Sequence, residues 1–399
     1  MKNEKFILGI LASINFTHIV DVMIMMPLGD IVMRLFDVGP EKFSLLVSAY
    51  AFGAFLSSLL GAVLIDRYDR KKALLFVYTG FALGTLLCAV ATSYYMLFCI
   101  RFITGLFGGM ISALVLSVVS DIFRYERRGA AMGVLTSAFS VAAALGVPIG
   151  LYLASAFSWE APFIFVGSLG LTIVALIAWR FPSMKGHLTK DKPAQRPNPL
   201  EVFRVIARDR NQINALLLGI IIVLGHMIII PFIAPYMRRN VGFEQSQITY
   251  IYALGGLLTA FTSPYIGRLT DRWGPMKTFF IVMSLSFIPV LALTNLPSVP
   301  IPLALVVTSA FFVFGSGRMI APQTMITAAV GPEGRGGFMS VKAALQQLGI
   351  ALASIIGGWI ISEGEGGSLQ HYGWAGLLSV TIGVIAIWMG TRLKVADGN

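Results

Sequence analysis

Apolar stretches near the roughly 20-residue length that crosses a hydrocarbon core recur twelve times along this chain of 399 residues. The expected spans are 6–33, 43–65, 72–92, 95–122, 130–155 and 161–181, then 212–236, 246–268, 276–296, 300–329, 337–361 and 373–393. A backbone amide inside hydrocarbon meets no water, so a repeatedly crossing chain must satisfy its own hydrogen bonds. Runs this long and continuous do so as helices. The expected fold class is an all-α membrane protein of twelve transmembrane helices, six on each side of a polar connector at 183–211.

Composition agrees. Apolar residues make up 56% and Asp, Glu, Lys and Arg only 12%, where a soluble chain carries about 25% charged residues. Disorder, collagen and coiled coil are excluded by the same figures. In a soluble protein a net charge of +11 would point to nucleic acid. In this chain the cations crowd into the short connections that one topology puts on one side. With both termini cytoplasmic, 24 of the 30 Lys and Arg fall inside, four (Arg34, Lys42, Arg238, Arg239) fall outside, and Arg101 and Arg318 lie within spans. That bias sets the orientation and makes the bilayer, not nucleic acid, the partner. The first apolar run lacks a small-residue cleavage site and leads into further spans, so no cleavable signal is expected. Cys88 and Cys99 sit in apolar runs without metal-ligand spacing and read as small buried hydrophobes. The connector carries Pro182, Pro193, Pro197 and Pro199 among charged residues, with a short amphipathic helix expected near 200–208.

The two halves repeat. Asp37-Val38-Gly39-Pro40-Glu41 precedes the second span and Asn240-Val241-Gly242-Phe243-Glu244 the eighth. Asp66-Arg67-Tyr68-Asp69-Arg70 follows the second span, and Asp271-Arg272-Trp273-Gly274 follows the eighth. Arg127-Arg128-Gly129 opens the fifth and Gly334-Arg335-Gly336 the eleventh. A six-helix unit repeated in parallel implies a pseudo-two-fold along the membrane normal and a solute path between the halves.

These landmarks resemble the major facilitator superfamily over nearly the whole chain. The family pattern after the second span is Gly, three residues, Asp-Arg, one residue, Gly, then two basic residues. The first copy has Ala62, Asp66, Arg67, Asp69, Arg70 and Lys71, so both glycines are replaced. The second copy, Gly267, Asp271, Arg272, Gly274 and Lys277, keeps both with a looser basic end. Arg101 with Gly105 is similar to the family's fourth-span signature. Gly146-Val147-Pro148-Ile149-Gly150 is similar to the fifth-span signature of antiporters, and Trp159-Glu160-Ala161-Pro162-Phe163 resembles the twelve-span drug:proton group of drug or arabinose efflux permeases. The resemblance implies two pseudo-symmetric six-helix bundles, 1–182 and 212–399, around a cytoplasmic linker. It also implies gating. Asp66 would lie against the start of the eleventh span near Phe338, with Arg67, Arg70 and Lys71 adding breakable ion pairs. Asp271 with Arg272 would do the same against the start of the fifth span near Gly129. A carboxylate at a helix N-terminus contributes about 0.3–1 kcal/mol exposed and up to ~2 partly buried. The alternative is that these charges only set topology. For Gly146, Pro148 and Gly150 the alternative to an antiporter bend is ordinary small-residue packing.

Polar groups inside the spans carry the functional reading. Asn15, His18 and Asp21 recur every three residues, close to one face of the first span. An ionisable group at that depth is a functional candidate by default. Asp21 is the acid placed deep in an apolar run, His18 titrates near neutrality, and Arg101 is the expected counter-charge. Protonation of Asp21, through His18, would then switch the Arg101 contact. A static pair and a core histidine are the alternatives. In the second half, His226 precedes Pro231 much as Asp21 precedes Pro27. Arg318, whose repeat equivalent is Ile111, follows Gly315-Ser316-Gly317. His226, Arg318, Asn15, Gln346 and Gln347 are the expected substrate-contacting residues, with structural pairing and helix packing as alternatives.

Met23, Met25 and Met26 near His18 raise copper(I), but no acid or cysteine completes a site, so neither metal nor cofactor is expected. Methionines with Phe16, Phe52 and Phe55 suit an adaptable apolar wall. No metalloprotease helix motif, serine–histidine dyad, catalytic aspartate pair or phosphate-binding glycine loop occurs, so neither an enzyme nor an ATP-driven pump is expected. The expected function is a proton-coupled antiporter exporting small amphipathic or lipophilic solutes by alternating access. It would act as a monomer in a bacterial inner membrane, with protons and a small-molecule substrate as its partners. The alternatives are an importer or facilitator of a small polar or anionic solute, and a non-transporting receptor on the same scaffold.

Overall fold

A computed structural model describes residues 2–64, 68–123, 125–184, 199–331 and 334–394, and nearly all of them are helical. The first helices are α1 (Lys2–Ile24), α2 (Gly29–Leu35), α3 (Pro40–Leu64), α4 (Arg70–Cys88), α5 (Tyr94–Ile122), α6 (Tyr125–Val141), α7 (Val147–Ala156) and α8 (Ala161–Arg180). After the connector come α9 (Pro199–Arg208), α10 (Arg210–Met227), α11 (Ile233–Tyr236), α12 (Gln245–Trp273), α13 (Pro275–Thr294), α14 (Ile301–Ala328), α15 (Arg335–Ile360) and α16 (Tyr372–Gly390). Among the described residues, 11 helical stretches are long and apolar enough to cross a membrane. α12 is long enough, at 29 residues, but its Gln, Ser and Thr content dilutes its hydropathy. The amphipathic helix expected in the connector is α9.

Polar caps start the helices where the chain turns back. Asp69 accepts from the Lys71 amide at α4, Ser93 from Met96 at α5, and Asp209 from Asn211 and Gln212 at α10. Each satisfies an amide that the first helical turn leaves open. Glu244 and Gln247 form a reciprocal capping box on α12.

Three expected spans are interrupted, and proline explains each. The first, read as one helix over 6–33, is α1 and α2 separated by a turn at 25–28. Pro27 has no N–H for the carbonyl of Met23, four residues back, and the helix stops. The seventh breaks in the same way. Pro231 cannot donate to Met227, the last residue of α10, and a 3₁₀ turn (Ile230–Phe232) and α11 follow. Beside the break, the buried Ile229 carbonyl accepts from the Phe232 amide at 3.1 Å and from the Tyr372 hydroxyl at 2.9 Å. In the fifth span, a π turn over Ala142–Gly146 separates α6 from α7 just before Pro148. The eleventh span carries Ile355 where a matching proline would fall, and α15 runs unbroken.

The chain packs into two compact units: Met1–Met25 with Ala49–Arg196, and Met26–Ser48 with Pro197–Asn399. The first is cored by residues such as Leu11 and Ile14 of α1, Tyr78 and Phe81 of α4, and Leu114 and Val118 of α5. The second is cored by Leu218 and Ile222 of α10, Phe279 and Met283 of α13, and Phe338 of α15. Segment 26–48 groups with the second unit. α3 therefore begins in one unit and ends in the other.

Charge holds that segment in place. Asp30, 3% exposed, binds Arg239 Nε at 2.6 Å, Arg238 Nε at 3.1 Å and Arg34 Nε at 3.1 Å. Arg239 continues to Glu363 at 3.0 Å. Glu363 lies in β1 (Ser362–Glu363), which pairs antiparallel with β2 (Leu369–Gln370). Asn240 clamps that hairpin by donating to and accepting from the Leu369 backbone at 2.8 and 2.9 Å. The hairpin was not expected from sequence. Removing the carboxylate takes from three guanidiniums the counter-charge they share, leaving Arg239 with Glu363. Asp30→Asn is expected to destabilise detergent-purified protein by about 3–5 kcal/mol, as for a buried ion pair broken from one side. Arg34→Gln, with its side chain 58% exposed, is expected to cost about 0–1 kcal/mol. Tryptophan-monitored unfolding of both variants checks the order.

Candidate functional site

In the first unit the expected pair is formed. Arg101 Nη1 of α5 donates to Asp21 Oδ2 of α1 at 2.9 Å, and the side chains are 2% and 0% exposed. Thr85 of α4 donates to the other carboxylate oxygen at 3.1 Å. The Tyr50 ring of α3 lies under the guanidinium, 4.5 Å from centroid to Cζ. A desolvated cation–π contact of this kind contributes about 2 kcal/mol or more. Arg101 Nε and the Tyr50 hydroxyl are buried without a hydrogen-bond partner among the described residues. His18, one turn before Asp21, is half-buried and set edge-on to Phe81 at 5.5 Å.

Glycine makes this arrangement fit. A Cβ on Gly105 would run into the Tyr50 carbonyl, and one on Gly53 into the Phe102 carbonyl. α3 and α5 therefore cross in backbone contact, which brings Tyr50 over Arg101. The space above Gly108 is taken by the Tyr50 hydroxyl and by His18 Nε2. His18, Tyr50, Arg101, Asp21 and Thr85 thus form one polar thread, of which the sequence reading picked out His18, Arg101 and Asp21. Tyr50 and Thr85 were missed. Their signal was available, as polar side chains inside apolar runs, but nothing in spacing ties them to Asp21. Asn15 is apart from the thread. It lines a 220 Å³ cavity with Ser112, Thr136 and Phe139.

In the second unit, His226 of α10 stacks on Phe311 of α14, with centroids 5.5 Å apart and planes 13° from parallel. Arg318 of α14 is 1% exposed, and Nε, Nη1 and Nη2 all lack a hydrogen-bond partner among the described residues. Lys342 of α15, 4% exposed, contacts Gln323 Oε1. The sequence count places Lys342 among the 24 cations of the inner loops and helix ends. Gln346 and Gln347 are half-buried on α15.

The sequence pattern of the Major Facilitator Superfamily matches residues 11–224 and again 215–397. The chain belongs to the Major Facilitator Superfamily. The Inner membrane transport protein YdhP of Escherichia coli (strain K12) is 25% identical over 373 residues, 92% of this chain and 91% of that one. The Probable sugar efflux transporter of Helicobacter pylori is 24% identical over 376 residues, 94% and 90% of the two chains. A solved bacterial homolog of the human lysosomal transporter Spinster superposes with a TM-score of 0.80 at 16% identity, covering 97% of this chain and 96% of its own. That likeness is one of fold.

Two of the superfamily loop residues lie outside the described set, Asp66 and Arg67. Arg70 binds Asp121 of α5 at 3.1 Å and Lys71 donates to the Ala178 carbonyl of α8 at 2.9 Å, both inside the first unit. Asp69, besides capping α4, accepts from Ser183 Oγ at 2.6 Å and the Met184 amide at 3.0 Å. Asp271 and Arg272 are exposed at the end of α12. Gly146 and Gly150 pack against α1, where added Cβ atoms would meet Val20 and Ile24.

Gly105→Val pushes α5 off α3. It is expected to cost about 1–3 kcal/mol in unfolding stability, the usual penalty for overpacking, with loss of transport activity. Gly133→Ala, where a Cβ meets nothing within 4 Å, is expected to leave both intact. Paired unfolding and flux measurements on the two variants check this.

Proposed function

We propose that this superfamily member is a proton-coupled antiporter that exports small amphipathic or lipophilic solutes by alternating access. The observation that carries the reading is the solvent-excluded Asp21–Arg101 pair. With Asp21 ionised the pair is neutral. Protonating Asp21 strands a guanidinium that cannot lose its proton in a low-dielectric site, where one-sided loss of a buried pair costs about 3–5 kcal/mol. The Tyr50 ring offsets part of that cost. The rest favours a conformation in which Arg101 meets water or another acceptor, so proton binding and rearrangement become one event. The pair is sealed in this structure. His18, half-buried beside Tyr50, is the member of the thread with access, and it serves as the proton's route.

In this reading both termini are cytoplasmic, the membrane is a bacterial inner membrane, and the monomer is the working unit. Asn15, His226, Arg318, Gln346 and Gln347 contact the solute, and Gly146, Pro148 and Gly150 set the bend of the fifth span. Asp66, Arg67, Asp271 and Arg272 gate, with Arg70 and Lys71 tying the loop to its own unit in the state seen. The sugar efflux transporter of Helicobacter pylori and the inner membrane transport protein YdhP, both relatives, support export and an inner-membrane setting.

The test is flux in proteoliposomes with an acidic lumen and a less acidic exterior. Protons leaving an antiporter drive permanently charged or neutral amphipathic solutes inward, against their gradient. Asp21→Asn is expected to abolish accumulation while solute exchange at equal pH persists. Accumulation that survives in Asp21→Asn refutes the proton assignment. Binding with no flux in either protein would identify a receptor.

A further inference from the structure

The two units differ in how they treat a buried cation. In the first, Arg101 has a carboxylate and an aromatic face. In the second, Arg318 is 1% exposed and no described side chain or carbonyl accepts from its three nitrogens. The described acids of that unit, from Asp30 to Glu365, lie at helix ends or in loops, so none reaches mid-span. Lys342 is a second buried cation with a neutral partner, Gln323. An arginine stays charged, and a charge at the bilayer centre is costly to hold. A chain retains such a residue where something anionic comes to it.

The surroundings are aromatic, and His226 Nδ1 is buried without a partner among the described residues. His226 packs over Gly315, one turn before Arg318, and Nη2 lies 3.4 Å from where a Gly225 Cβ would stand. Rings continue from His226 through Phe311 and Phe312 to Tyr252, with centroids 5.5 to 5.7 Å apart. The backbone can yield at this point. Pro322 has no N–H for the carbonyl four residues earlier, which is that of Arg318 itself, and Gly315 and Gly317 precede it.

We propose that Arg318 anchors the anionic group of the transported solute, that the His226–Phe311–Phe312 rings receive its apolar body, and that the substrates are amphipathic organic anions such as arylalkyl carboxylates. The planar guanidinium matches a carboxylate in bidentate fashion. This deepens the transport reading and rests on it. A lone inorganic anion would satisfy the charge but leave the ring stack without a role.

The experiment is equilibrium binding to the detergent-purified full chain, followed by thermal stabilisation. The probes are alkyl and phenylalkyl carboxylates, phenylbutyrate among them, against phenylbutyramide and phenylbutylammonium. Phenylbutyrate is expected to bind at least about tenfold more tightly than the amide, a difference of about 1.4 kcal/mol, and the ammonium more weakly still. Arg318→Gln should erase the preference while amide binding stays. Arg318→Lys should keep part of it, and Phe311→Ala should weaken all three probes alike. Equal binding of the three probes, no stabilisation by any carboxylate at millimolar concentration, or a preference that survives Arg318→Gln overturns the proposal. So does equal stabilisation by sodium chloride, which would assign Arg318 to an inorganic ion. The wild-type comparison decides even if Arg318→Gln does not fold. Binding in detergent needs no proton gradient, so this proposal and the antiport reading fail separately.

Discussion

Hydrocarbon offers no partner to a polar group, and that single deficiency shapes the whole molecule. It makes the backbone helical, confines most charge to the connections, and leaves each charge that enters a span in need of an explanation. Asp21 and Arg101 answer by neutralising each other, with Thr85 on the free carboxylate oxygen and the Tyr50 ring beneath the cation. The first unit can hold this pair because Gly53 and Gly105 let α3 and α5 meet backbone to backbone. Packing of the smallest residues and placement of the most costly ones are the same arrangement seen from two sides.

The units are related by sequence repeat yet carry opposite chemistry at their centres. His226 stands near the mirrored place of Asp21, after which both spans break at a proline. In one unit the acid is present and the cation is matched. In the other an imidazole stacked on Phe311 replaces the acid, and Arg318 and Lys342 are cations without carboxylates. A duplicated scaffold has room for this division, since the two copies need not keep the same buried charges.

Much of the architecture was legible because hydrophobic length is a one-dimensional property. Span count, the connector helix and the Asp21–Arg101 pair all follow from which residues are too polar for where they fall. The breaks at Pro27 and Pro231 were visible as prolines, but hydropathy averages across them and reads one long helix. α12 matches the span expected at 246–268, although its Gln, Ser and Thr content dilutes its hydropathy. The contacts that sequence could not supply are those between residues far apart in the chain. Tyr50 reaches Arg101 only because two helices cross at a particular angle, and Asp30 finds Arg238 and Arg239 more than two hundred positions later. Lys342 counts as a helix-end cation because it stands near the start of its helix, and only packing shows it covered.

Segment 26–48 has a consequence for how the molecule can be divided. The connector at 183–211 is the obvious seam, and a cut there would separate Asp30 from Arg238 and Arg239 and sever α3 from the neighbours of its first two turns. Halves made as separate polypeptides, or grafted onto the opposite half of a relative, would inherit a carboxylate whose guanidiniums were left behind. The seam of inheritance and the seam of packing do not coincide, and a chimera that respects the first must carry the recipient's own version of the second.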